Sequence, residues 1–235
     1  MSSIAYVGSE LELFAAAANW KAYLSRQLQG YLGDSVLEVG AGLGTTTLNL
    51  CRRPHRRWVC LEPDPAMTAT LQAKRDAGEL PACCEVRAGT LADLPTDERF
   101  DSIIYIDVLE HIEDDRGELQ RAAEHLAPQG RIVVLAPAHQ FLFSPFDQSI
   151  GHFRRYNRAM LQAAAPTGLA CERQKYLDTV GLLASLGNRF VLGSGMPTPR
   201  QIWTWDKLMV PVSRFLDPLL FFTLGKSILG VWRKP

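Results

Sequence analysis

Val36-Leu37-Glu38-Val39-Gly40-Ala41-Gly42-Leu43-Gly44-Thr45-Thr46 is a short apolar run that stops at a glycine turn and resumes as a helix over Thr45 to Cys51. A strand that ends in glycines and feeds a helix lets the backbone approach a ligand closely, because no Cβ stands in the way. In open parallel sheets, ligands sit outside the carboxyl ends of the strands where strand order reverses, and the first strand is the usual place. The spacing is G-x-G-x-G, with Thr45 where a dinucleotide fingerprint carries its third glycine, and no Gly-Lys-Ser/Thr follows to make a phosphate loop. Glycine-rich turns are also common as purely structural devices, so the flanking sequence has to discriminate.

Upstream, apolar residues at helical spacing (Leu13, Phe14, Ala17, Trp20, Tyr23, Leu24, Leu28) predict one or two helices within Leu11 to Tyr31, broken by Gly33-Asp34. Downstream, strand and helix patterns alternate. Strands are expected at Ser35–Val39, Arg57–Leu61, Cys84–Ala88, Phe100–Ile106 and Arg131–Ala136. Helices are expected at Asp64–Ala77, which Pro65 can start, and at Asp115–Leu126, ended by Pro128-Gln129-Gly130. Such β-then-α repetition with β-branched runs means parallel strands covered by helices on both faces, an α/β doubly wound sheet.

Beyond Pro137 the pattern loosens. Asn157 to Ala165 reads as a helix capped by Asn157, Cys171 to Tyr176 as a sixth strand and Lys226 to Arg233 as a last one. Residues 179–212, with four Gly and three Pro, are a candidate lid or surface insertion. One domain over 1–235 is expected, with N-terminal helices over 1–34, a ligand-binding core over 35–137 and substrate-side loops and last strands over 138–235.

Lys+Arg and Asp+Glu balance at 25 each, so the net field gives no reason to expect nucleic acid as a partner. No basic and apolar leader opens the chain, and no apolar run approaches the roughly twenty residues that span a bilayer. The five cysteines are odd in number and lack framework spacing, which points to unpaired thiols in a reducing, cytoplasmic compartment. Phe215 to Trp232 is apolar but interrupted by Asp217, Pro218 and Lys226, so it reads as core strand plus helix. Docking on a membrane surface is the less favoured reading, because little basic amphipathic character shows.

Two further elements bear on function. Glu62 ends the second strand, twenty-two positions after Gly40, where a carboxylate can accept hydrogen bonds from both ribose hydroxyls of a nucleoside and repel a 2′-phosphate. The alternative is a solvated loop carboxylate. After the fourth strand comes Asp107-Val108-Leu109-Glu110-His111-Ile112, whose acids and histidine are costly to bury unless solvated or bound.

These segments together resemble class I S-adenosylmethionine-dependent methyltransferases. The glycine turn with Glu38 is similar to their first motif, Glu62 to their ribose-binding acid, and "DVLEHIEDD" followed by "LAPQGRIVVLAP" to their fourth- and fifth-strand signatures. The resemblance runs from Val36 to Pro137. It implies a Rossmann-like, mostly parallel seven-stranded sheet that binds S-adenosyl-L-methionine. Gly40, Gly42 and Gly44 would pack against its methionine moiety and ribose, Glu38 would help hold the amino acid end, and Thr90 and Leu91 would lie against the adenine. Many members carry an acid near the position of Thr90. Asp107 and Val108 would line the methionine side, with His111 starting the helix beneath.

Methyl transfer from a sulfonium is an in-line displacement in which the protein supplies alignment and a dry pocket, and a base only where the nucleophile must lose a proton. Phe146-Asp147-Gln148-Ser149-Ile150-Gly151-His152-Phe153-Arg154-Arg155-Tyr156 follows the fifth strand and belongs near the reactive end. Its "GHFRRY" resembles a segment of one methyltransferase subgroup. His152 is the candidate base for a hydroxyl acceptor, with His111 as rival. Arg154 or Arg155 could grip an anionic group on the substrate, with Asp147 and Tyr156 as further polar contacts. The bland alternative is that His152 and Arg155 pair with Asp147 and brace the loop. No metal is expected, since the acids around Glu110 to Asp115 suit a solvated helix start. The reading is a methyltransferase, on oxygen, acting on a small-molecule, sugar or lipid-linked acceptor. A nicotinamide-dependent oxidoreductase and a non-catalytic cofactor-binding partner are the alternatives.

Overall fold

A computed structural model of the chain describes residues 14–187 and 197–235. Leu11 to Leu13 of the expected N-terminal helix lie outside the described residues. Helix α1 (Ala18–Leu28) leads into strand β1 (Ser35–Val39), followed by β2 (Arg57–Glu62), β3 (Cys84–Ala88), β4 (Phe100–Ile106), β5 (Leu126–Pro137), β6 (Ala170–Leu177) and β7 (Ser227–Arg233). The seven strands form one sheet in the order β3-β2-β1-β4-β5-β7-β6. The first five are parallel, and β7 runs antiparallel to both β5 and β6. The expected mostly parallel, doubly wound α/β sheet is therefore what the chain forms. Its order departs from the 3-2-1-4-5-6 arrangement of dinucleotide-binding enzymes by the antiparallel strand inserted before the edge.

All five residues of β1 are buried, as expected of a parallel strand covered on both faces. Side chains alternate across the sheet. Val36, Ile104, Val133 and Leu229 face one core layer with Trp20, Leu24 and Trp205. Leu37, Ile103 and Val134 face the other with Leu119 and Leu161. Helices α2 (Thr45–Leu50) and α3 (Pro65–Asp76) follow the first two strands. Asp64 caps α3, accepting from Ala66 N at 2.7 Å and Met67 N at 3.0 Å, and Pro65 occupies its first turn. Helix α4 (Asp115–Glu124) precedes β5, and α5 (Pro145–Ser149) and α6 (Arg158–Ala164) follow it. Asn157 caps α6 through Met160 N at 2.9 Å.

Two expectations are corrected. The helix expected to reach Leu126 stops at Glu124, and Pro128-Gln129-Gly130 lies inside β5 rather than before it. Leu126 pairs with Phe100, the register then shifts, and Gln129 takes a φ of 64°, so the turn residues form a bulge. Within 179–212, the described part is helical: α7 (Thr179–Gly187), then α8 (Pro199–Thr204), a π turn (Trp205–Met209) and α9 (Val210–Leu219). Residues 188–196 of the expected lid lie outside the described residues. The π turn accommodates Pro211, which has no N–H to give to the turn before it.

Buried carboxylates hold this late helical run in place. Asp206 accepts from Trp20 N at 2.9 Å, and Asp217 from Tyr23 Oη at 2.6 Å, Asp178 N at 2.7 Å and Thr179 N at 2.9 Å. Asp178 in turn accepts from Trp205 Nε1 at 2.7 Å and Ser213 Oγ at 2.6 Å. Hydrogen bonds to charged groups contribute about 1.5–3 kcal/mol each, so these contacts tie α1, β6 and the late helices into one body. Among the described residues, no helix is long and apolar enough to cross a membrane. All five cysteines are unpaired thiols.

Candidate active site

Strand order reverses between β1 and β4, and a cleft of about 2090 Å³ opens at their carboxyl ends. Gly40 stands at its base with φ 68°, and a Cβ there would lie 2.7 Å from Cγ2 of Val108. Only glycine fits that approach. Glu62, at the end of β2, accepts from Gly42 N at 2.7 Å and Asp64 N at 2.9 Å. It is buried at the cleft wall; burial raises its pKa and those two backbone donors oppose the rise. A carboxylate has about four lone-pair positions, so two bonds leave capacity for ligand hydroxyls.

Asp107 follows β4 with φ 54°, its N–H donating to Leu135 O at 2.9 Å. Its side chain is exposed to the cleft; the protein packed around it raises its pKa, and the charges of His152 and Lys226 oppose the rise. Thr90 also lines the cleft, where its N–H donates to Asp93 at 2.8 Å.

Other residues expected to touch the cofactor point elsewhere. Glu38 does not line the cleft. It is buried on the other side of β1, accepting from Thr47 Oγ1 at 2.7 Å and Trp58 Nε1 at 2.8 Å, and burial pushes its pKa up to about 7. Gly44 serves packing: a Cβ there would lie 2.8 Å from Cδ2 of Leu71 on α3. Leu91 is buried in the core. None of the three lines the cleft.

Across the cleft, α5 and the loop after it form a polar cluster around Asp147. This fully buried carboxylate accepts from Ser144 N at 2.9 Å and Ser144 Oγ at 2.8 Å. It also accepts from Arg155 Nε at 2.8 Å and the guanidinium's Nη2 at 2.9 Å, and lies 2.9 Å from His152 Nδ1. Burial alone would raise its pKa, but the bonds from His152 and Arg155 outweigh that and hold it well below the usual carboxylate range. Nε2 of His152 faces Oε1 of Glu110 at 3.8 Å. The His111 ring meets the His152 ring edge-on at 4.5 Å, and burial, then His152, pushes the His111 pKa down to about 4. Glu110 is buried with neither carboxyl oxygen hydrogen-bonded, and burial together with Asp107 holds its pKa well above the usual range.

The structure thus brings His152, His111, Asp147 and Arg155 together on the cleft wall. It takes the other two polar residues away. Arg154 pairs with Asp115 at 2.7 Å, and Tyr156 is buried with its hydroxyl on Asp115 at 2.8 Å. Both brace the start of α4 through Asp115, and neither lines the cleft. Arg155 and Asp147 are spent on each other, whereas Nε2 of His152 has the Glu110 carboxyl at 3.8 Å across from it.

Lys226 was overlooked as a site residue. It lines the cleft with its Nζ 4.0 Å from the Trp205 ring centroid, and burial lowers its pKa. The available signal was a lone lysine in an apolar stretch. Two groups, unrecognisable from linear spacing, have the chemistry to hold a metal ion. They are Glu110 with His111 and His152, and the thiols of Cys51, Cys83 and Cys84, each with ligand atoms within 4.8 Å of one another.

Residues 37–132 match the family model of a methyltransferase domain. The chain is 32% identical over 154 residues to a demethylmenaquinone methyltransferase of Tropheryma whipplei, covering 65% of this chain and 60% of that one. It is 30% identical over 109 residues to a ubiquinone biosynthesis O-methyltransferase of Bradyrhizobium diazoefficiens, covering 46% and 42%. The chain spans 35 to 60% of the length of these and the other curated relatives it matches. A geranyl diphosphate methyltransferase in complex with SAM has the same fold, with a TM-score of 0.65 and 14% identity over 97% of this chain and 91% of that one. The matched segment, which is similar to a methyltransferase domain, carries the glycine turn, Glu62 and the "DVLEHI" segment described above.

Proposed function

We propose that the protein transfers the methyl group of S-adenosylmethionine to an oxygen of a small-molecule, sugar or lipid-linked acceptor, with His152 taking the acceptor's proton. The residues present suit the cofactor. Gly40 leaves a space that a Cβ would fill, Glu62 offers a buried carboxylate at the cleft wall, and Gly42, Thr90, Asp107 and Val108 line the same wall. When bound, S-adenosylmethionine supplies an electrophilic methyl group on a sulfonium. The chain's own part is to align, exclude water and move a proton.

The observation that carries the reading is the Asp147–His152 pair. A buried, strongly anionic Asp147 on Nδ1 orients the ring and stabilises the imidazolium that a proton transfer creates, while Nε2 stands 3.8 Å from Glu110 on the wall of the cleft. His111, held neutral, is the less suitable base. The cleft volume exceeds the roughly 300–1,000 Å³ of a single drug-sized site, leaving room for both cofactor and acceptor. The relatives' names, one of them an O-methyltransferase, support oxygen as the acceptor atom.

The test is His152→Ala, assayed with labelled methyl donor across phenol, sugar and lipid-linked hydroxyl acceptors. Removal of a general base costs about 10²–10⁴-fold in turnover. That loss is expected with unchanged calorimetric binding of S-adenosylhomocysteine, and with partial recovery on adding imidazole. Full turnover would remove His152 as the base. Absence of binding heat in the parent would overturn the cofactor reading. Tight binding without transfer to any acceptor would favour a non-catalytic binder.

A further inference from the structure

We infer that the outer face of the helical run from Pro199 to Leu219, with the turn after it, docks on an anionic lipid bilayer. Leu208, Val212, Phe215 and Leu219 recur at steps of four, three and four, which places them on one face. That face is open to solvent: Phe215 is 69% exposed, Leu219 71% and Phe221, in the following turn, 84%, with Trp203 also exposed at the start of the run. The opposite face, including Ile202, Trp205 and Val210, is buried. Isolated exposed apolar residues are ordinary, but a contiguous set of large ones marks an interaction surface.

The charges on the run select the partner. Its two acids, Asp206 and Asp217, are buried and turned inward to Trp20 and Tyr23. Its cations, Arg200, Lys207 and Arg214, are exposed. Lys207 reaches back to Asp206 at 3.3 Å, and the Arg214 guanidinium lies 5.8 Å from the Phe215 ring centroid. The exposed charges of the run are therefore all positive. Trp, Phe and Leu on one face with basic residues beside them suit insertion at a headgroup boundary carrying negative lipids.

The turn adds a second observation. Phe221 and Phe222 both adopt left-handed backbone, with φ of 51° and 54°, a costly conformation for bulky residues. Phe222 N, bonded to Asp217 O at 2.7 Å, anchors the turn, and the Phe222 ring packs on Lys175. The effect is to project Phe221 outward beside Leu219. Ile202 and Trp205, on the inward face of the same run, line the cleft, so a docked run would lie between the cleft and the bilayer. The inference stands apart from the proposed reaction, because it needs no acceptor and no methyl transfer.

The experiment is co-sedimentation of the full chain with vesicles of phosphatidylcholine, with and without phosphatidylglycerol. Binding to the anionic vesicles is expected, about tenfold or more above the neutral ones. Combined Phe215→Ser, Leu219→Ser and Phe221→Ser changes should reduce it about tenfold or more, with melting temperature and S-adenosylhomocysteine binding unchanged. Arg214→Glu should remove the preference for phosphatidylglycerol. Parent protein left in the supernatant with both vesicle types would overturn the inference. So would a triple variant that sediments like the parent, or light scattering showing that the face joins two copies of the chain and binds no vesicle.

Discussion

The carboxyl of Glu38 is held by a hydroxyl and an indole N–H, under a layer of apolar side chains. Its pKa of about 7 in the fold lies above the roughly 4.3 of an unfolded chain. The fold therefore holds a proton that the unfolded chain releases between those values. This contribution to stability is present below the unfolded pKa and is lost as pH rises through 7. Glu38→Gln keeps an oxygen for both donors and has no proton to lose. It should match the parent near pH 5 and exceed it near pH 8 by about 3 kcal/mol, at 1.36 kcal/mol per pKa unit; urea unfolding at both pH values measures it. Gly40→Ala should do the opposite to function. Left-handed backbone costs a non-glycine residue about 1–2 kcal/mol, and the new methyl pushes Val108 into the cleft, so calorimetry should show S-adenosylhomocysteine binding about tenfold weaker or worse. Position in the chain puts Gly40, Glu62 and Asp107 at the cleft because the backbone ends of strands determine where they lie. It does not reveal that Glu38, Arg154 and Tyr156 lie off the cleft. Next to Val39, which lines the cleft, Glu38 points to the opposite face of a pleated strand, and nothing local reveals that Asp115 collects both Arg154 and Tyr156.

The strands were readable because short runs rich in apolar and β-branched residues are bounded by turn residues, and their observed ends differ from expectation by a residue or two except in β5. There, Pro128-Gln129-Gly130 has the composition of a turn and the fold uses it as a bulge. The late helices were unreadable for a related reason. Pro197, Pro199, Pro211 and Pro218, with Asp206 and Asp217, look like breakers in an exposed loop. In the fold, Pro199 starts a helix, Pro211 follows a π turn, and the carboxylates are turned inward to serve donors on α1 and at the end of β6. Long-range hydrogen bonds of this kind leave no periodic trace. Asp217→Ala would strand Tyr23 Oη and the N–H groups of Asp178 and Thr179 without their acceptor. Leaving buried polar groups unsatisfied costs about 1–3 kcal/mol each. A loss of about 3 kcal/mol or more in denaturant unfolding is the expected result.

At the scale of the molecule, the two ends of the described chain meet on the sheet. Helix α1 packs with the run from Pro199 to Leu219 against one face, while β7 lies between β5 and β6. The cleft is bounded by the glycine turn on one side, and by α5 with its following loop and by the late helices on the others. The glycine-turn wall and the wall built by α5 and the late helices thus come from different parts of the chain, and only the first is covered by the family match.

The inserted seventh strand has a consequence for how the protein is made. Strand β6 hydrogen-bonds to the sheet only through β7, so the edge emerges from the ribosome fifty residues before the strand that attaches it. Until Ser227 to Arg233 thread in as a wedge between their two neighbours, a nascent chain carries an open β5 margin and an unattached ribbon. Synthesis of this molecule therefore passes through an interval in which pairing with a foreign strand competes with its own completion.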